Sequence, residues 1–118
     1  MSNIKKKIGN WGEENAARFL INRGYAIVQK NYHSRYGEID IICTKDDELI
    51  FVEVKTRRQG GLGSGEESVD YKKRQKIRLT IEDYLQKHET KGFPQFDVIV
   101  IELNGVKQKI NHYRSVEI

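Results

Sequence analysis

The sequence predicts an α/β fold, a mixed β-sheet flanked by helices in the order α-β-β-β-α-β-β, and three patterns carry that prediction. Ile39 to Cys43 and Leu49 to Val54 are apolar, β-type runs joined by the short polar turn Thr44 to Glu48, which reads as an antiparallel hairpin. One stretch on each side of that hairpin repeats its small and apolar residues at helical spacing. The second of these helices separates two apolar strands, so it is a right-handed crossover that sets them parallel.

In chain order, Asn10 to Arg23 reads as the first helix, with Glu13, Ala16, Ala17 and Leu20 on one face and Gly24 as its left-handed cap. Tyr25 to Lys30 is a first strand, and Asn31 to Tyr36 a polar turn whose His33, Arg35 and Tyr36 read as loop residues beside the next strand. The hairpin follows. Its second strand is apolar on both faces, with Leu49 and Phe51 on one and Ile50, Val52 and Val54 on the other, the mark of a covered, central strand. Gly60, Gly61, Gly63 and Gly65 then make a flap beside that strand; no Gly-Lys-Ser/Thr follows, so it is not a phosphate loop. Asp70 caps a second helix running to about Lys87, with Ile77, Ile81, Tyr84 and Leu85 as its buried stripe. Phe96 to Leu103 is another strand apolar on both faces, and Gly105 turns the chain into an edge strand, Lys107 to Tyr113. With 118 residues and no linker or repeat, positions 1–118 form one domain.

The hairpin carries the chemistry. Asp40 and Glu53 sit inside apolar runs, where an unpartnered carboxylate costs several kcal/mol, so each asks for a cation, a metal or a hydrogen-bond network. Alternation puts Glu53 and Lys55 on one face of their strand. Two readings stay open on the residues alone: an acidic functional site, or a cross-strand ion pair on a solvated face. Glu13 divides in the same way, between a site residue on the buried face of its helix and a first-turn acid favoured by the helix dipole. Glu14, four residues before Arg18, reads as a surface pair.

Asp40 followed by Glu53-Val54-Lys55 resembles the PD-(D/E)xK nuclease signature shared by type II restriction enzymes and archaeal Holliday junction resolvases. The whole chain is more closely similar to the YraN-like family of small bacterial proteins. Gly12-Glu13 with Ala16 and Leu20, Gly37-Glu38-Ile39-Asp40, Phe51-Val52-Glu53-Val54-Lys55-Thr56-Arg57 and Phe96-Asp97-Val98 follow that family's pattern in order. Ile39 stands where the superfamily signature has Pro, a residue often missing in resolvase-like relatives.

The resemblance implies a restriction-endonuclease-like fold and a Mg²⁺- or Mn²⁺-dependent hydrolysis of phosphodiester bonds in DNA, branched DNA by analogy with the resolvases. Asp40 and Glu53 would bind the metal with the Val54 carbonyl and Glu13, and Lys55 would orient or deprotonate the attacking water. A homodimer is implied too, because the resolvases work across a two-fold axis. The reading of a different class is a catalytically inert nucleic-acid-binding module that keeps the fold.

Composition agrees with these readings without selecting among them. The chain carries 21 basic and 17 acidic residues, a net charge of +4, so placement matters more than excess. Lys5 to Lys7, then Lys55, Arg57 and Arg58, then Lys72, Lys73, Arg74, Lys76 and Arg78 form clusters suited to phosphate backbones. One cysteine excludes an internal disulfide and fits a reducing compartment. The scattered His33, His88 and His112 with Cys43 form no zinc set, and no organic cofactor is indicated. No apolar run is long enough to span a membrane and the N-terminus lacks a signal-peptide core, so a cytoplasmic location is expected.

Overall fold

The computed structural model describes residues 4–58, 71–90 and 93–118, so the glycine-rich stretch 59–68 and the Asp70 cap lie outside the described residues. Two helices and five strands follow in the expected order: α1 (Ile4–Asn22), β1 (Ala26–Ser34), β2 (Gly37–Lys45), β3 (Glu48–Arg58), α2 (Tyr71–Lys87), β4 (Gln95–Asn104) and β5 (Lys107–Tyr113). The strands lie in the sheet in their sequence order. Neighbours are antiparallel except β3 and β4, which the α2 crossover makes parallel. β3 is therefore central, and its Ile50, Phe51 and Val52 are buried on both faces. On one face Ala16, Ala17 and Leu20 of α1 pack on Ile41, Ile50, Val52 and Ile99. On the other, Ile77, Ile81 and Tyr84 of α2 pack on Ile39, Ile42, Phe51 and Phe96.

Several boundaries differ from the sequence expectation for local reasons. α1 begins at Ile4 rather than Asn10, because a lone Gly9 in a helix costs only about 1 kcal/mol and the lysine run before it propagates well. It ends as expected: Gly24 (φ 88°) and Tyr25 donate to the carbonyls of Ile21 and Leu20 at 3.0 Å each, and the apolar Leu20 and Tyr25 meet beneath the turn. β1 continues to Ser34, leaving only Arg35 and Tyr36 as the turn. Tyr32, which pairs with Ile39 and is buried, is the one core residue in a stretch that otherwise reads as polar. The β2–β3 turn narrows to Asp46 and Asp47, both at positive φ, which Asp tolerates and tight hairpins favour. On α2, Leu85 is only partly buried and Thr80 takes the deeper place, its hydroxyl donating to the Lys76 carbonyl at 2.8 Å.

The buried part of β4, Phe96 to Ile101, is apolar on both faces except for Asp97, which is fully buried. Its carboxylate accepts from Gln95 Nε2 (2.8 Å) and the Ser115 N–H (2.9 Å) and pairs with His112 Nε2 (2.8 Å). Burial pushes that carboxyl up, but these three partners outweigh it and hold the group below the usual carboxylate range. With the Val116 N–H donating to the Phe96 carbonyl at 2.7 Å, the network fastens β5 and the C-terminal residues to β4. Asp97→Ala would strand all three partners. A loss of about 2–4 kcal/mol is expected in urea unfolding, and a loss under about 1 kcal/mol would show that the network does not hold the C-terminus.

Candidate active site

The site forms where β2 leaves β3. Their ladder runs from Lys45↔Glu48 to Ile41↔Val52, whereas β2 stays paired with β1 as far as Ser34↔Gly37 and β3 stays paired with β4 as far as Arg58↔Leu103. A wedge opens between the two strands at Asp40. Opposite Asp40, Asn31 takes a left-handed conformation (φ 53°), and strand alternation slips: Ile39 packs beneath α2 while Ile41, two residues on, packs beneath α1. The Asp40 side chain is thus left between the strands, where Oδ2 accepts the Val54 N–H at 2.8 Å. A side chain here replaces the ladder bond that β2 no longer supplies. Val54, whose carbonyl is the expected metal ligand, also joins the site through its N–H, which Asp40 accepts.

Glu13 reaches the wedge from α1. Gly12 makes this possible, since a Cβ there would run into the Thr56 hydroxyl, and α1 can lie directly on β3 only without one. The Glu13 and Asp40 carboxyl groups stand close enough to share a proton. Burial pushes Asp40 up to about 7; the Val54 N–H opposes this, and the charges of Glu13 and Glu53 add to it. Burial also raises Glu13.

Glu53 lies on the α2 side of β3, like Phe51 before it. Its Oε1 is 3.3 Å from Lys73 Nζ on the first turn of α2, and its buried Oε2 has no hydrogen-bond partner among the described residues. Lys55 follows on the same face of β3, half-buried. Among the described residues no three Asp, Glu, His or Cys side chains stand together as a preformed metal-ligand set. Glu13 and Asp40 form one group, and Glu53 with Lys73 another beside it.

The sequence model of the uncharacterised protein family UPF0102 matches residues 12–101, from Gly12 through Asp40, Glu53 and Lys55 to β4. The chain belongs to this family. Its relatives include UPF0102 proteins of Alkaliphilus oremlandii, 46% identical over 95% of this chain and 98% of the relative, and of Syntrophomonas wolfei, 45% identical over 92% and 96%. One from Herpetosiphon aurantiacus is 34% identical over 100% of this chain and 99% of its own. The UPF0102 match thus spans both carboxylate groups of the wedge.

The basic residues of this UPF0102 chain divide by position. Lys72 and Arg74 are exposed on the first turn of α2, Arg57 is half-buried near the end of β3, and Arg58 is exposed there. Lys73 is turned to Glu53, a pairing twenty residues apart in sequence with no local signal. Should the chain bind DNA, the affinity would fall steeply with salt, and Lys72→Ala with Arg74→Ala would flatten the log–log slope by about one unit per phosphate contact. An unchanged slope would put the DNA on another face. The Asn31 conformation was equally hidden; its one sequence signal is an Asn, a residue tolerant of positive φ, inside a strand.

Proposed function

We propose that the chain is a metal-dependent endonuclease that hydrolyses phosphodiester bonds in DNA. The observation that carries this reading is the wedge itself, with the Asp40 carboxylate fixed by the Val54 N–H beside Glu13, and a buried Glu53 oxygen without a partner among the described residues. Native proteins leave few buried polar atoms unsatisfied, so Glu53 Oε2 calls for a ligand. The donors are all hard oxygens, which suits Mg²⁺ or Mn²⁺, and Mg²⁺ sites commonly use only one or two carboxylates with water and substrate phosphate. Asp40 and Glu53 would hold the ion, with Glu13 assisting through Asp40. When bound, the ion would lower the pKa of an attacking water and offset charge on the phosphate.

The protein's own residues prepare that chemistry. The Val54 N–H keeps Asp40 oriented, and loss of the proton shared with Glu13 frees both carboxylates to act as ligands. Lys73 neutralises Glu53 until a cation replaces it. Lys55, on the face of Glu53, is positioned by β3 to orient the nucleophile and offset negative charge in the transition state. Purified protein should therefore nick or cut at least one member of a panel of linear, flapped and four-way DNA with Mg²⁺ or Mn²⁺, and none in EDTA; RNA is the control. The Lys73–Glu53 pair, in which a lysine already neutralises the carboxylate, favours a second reading, an inert nucleic-acid-binding module, which a wholly uncut but bound panel would select. For symmetric cutting of two strands we expect a homodimer, tested by sedimentation with and without DNA; a monomer in both would leave a nickase.

A further inference from the structure

On the flank of α1 away from Glu13 lies a second groove, of about 790 Å³. Its floor is one row across three strands, Arg58 of β3 beside Leu103 of β4 beside Gln108 of β5. Lys7 and Trp11, one turn apart on α1, form its wall, and the fully exposed Val106 at the β4–β5 turn forms its lip. Trp11 is 39% exposed. Among the described residues, no acidic side chain lines the groove.

We propose that this groove binds a single-stranded segment of DNA, with a base stacked on the Trp11 indole and flanking phosphates held by Lys7 and Arg58. Aromatic platforms flanked by cations are the usual means of holding unpaired bases, because every base offers a π-face and the backbone offers charge. A blunt duplex keeps its base faces stacked inside and cannot use the indole. An apolar peptide or lipid chain would leave both cations without counter-charge, whereas a strand satisfies cations, indole and the Gln108 amide together. Trp11 and Glu13 flank Gly12, the contact point with β3, so they emerge on opposite sides of α1, a helix about 10–12 Å across. About three nucleotides of strand at ~3.4 Å each cover that width. Resting on the nuclease reading, the inference names its substrate class: DNA with an unpaired segment next to the cleaved bond, a flap or a frayed end.

Trp11 is the chain's one tryptophan, so its fluorescence reports on this groove alone. In EDTA, an oligothymidylate should quench it saturably, and a blunt duplex with the same number of phosphates should not. By anisotropy of labelled DNA, Trp11→Ala should weaken oligothymidylate binding about tenfold or more and Trp11→Phe less, with duplex binding unmoved. Oligothymidylate binding that neither quenches Trp11 nor changes in Trp11→Ala would overturn the inference, as would quenching by an apolar dye with none by oligothymidylate. The nuclease reading fails separately: a quenched indole with every panel DNA uncut keeps the groove and discards the enzyme, and duplex cutting without quenching does the reverse.

Discussion

Glu53→Gln is expected to lower metal-dependent DNA cleavage on the order of a thousandfold or more while the protein stays folded by circular dichroism. The substitution keeps the side chain's shape but removes the charge, which faces Lys73 on one oxygen and, among the described residues, no partner on the other. Asp40→Asn should be as severe, since an amide can still accept the Val54 N–H but binds a hard cation poorly. Lys55→Ala should also abolish cutting, through charge rather than metal affinity. Lys73→Ala is the discriminating variant. If Lys73 only shields Glu53 in the metal-free protein, its removal tightens metal binding and leaves cutting largely intact; if it touches the substrate, cutting falls with unchanged metal affinity. Glu53→Gln that cuts like the wild type would move the reaction elsewhere in the chain.

The architecture was legible because β3 is apolar on both faces and the α2 stripe repeats every three or four residues, patterns that only a covered strand and an amphipathic helix satisfy. Alternation also set Glu53 opposite Val52 and Val54 correctly. It failed at Asp40, where the left-handed Asn31 and the end of the β2–β3 ladder turn a side chain into the gap between strands. Period-two reasoning has no term for a strand that changes partners. Asp97 was hidden for another reason: its three partners, Gln95, His112 and Ser115, make burial of a carboxylate affordable in a strand that reads as plain core. The Glu53–Lys73 contact joins β3 to a helix beyond the glycine-rich stretch, and no local pattern encodes such a meeting.

The wedge should make the metal-free protein less stable as pH rises. Asp40 is pushed up to about 7 in the folded chain, against about 4 unfolded, so between those values the folded state holds a proton that the unfolded state has released. Stability then falls with rising pH, by at most about 1.4 kcal/mol per unit, and levels off above pH 7; the raised Glu13 acts in the same direction. Asp97 has the opposite sign, its lowered carboxyl contributing stability that is lost only in acid. The metal-free protein should accordingly be most stable near pH 4. In Asp40→Asn the amide can accept from Val54 and donate to Glu13 without a charge to repel, so the variant should match the wild type at pH 4 and exceed it at pH 8 by up to about 4 kcal/mol. Mn²⁺ at ten times its Kd should return about 1.4 kcal/mol to the wild type at pH 8, a few degrees in Tm, and little to the variant. The shift should shrink at pH 6, where the shared proton competes with the ion. Thermal melts of both proteins at the three pH values, with Mn²⁺ or EDTA, measure all of this. An Asp40→Asn protein that melts well below the wild type at pH 8 in EDTA, with neither protein responding to metal, would make the carboxylates of the wedge a structural network and remove the main support for the enzyme.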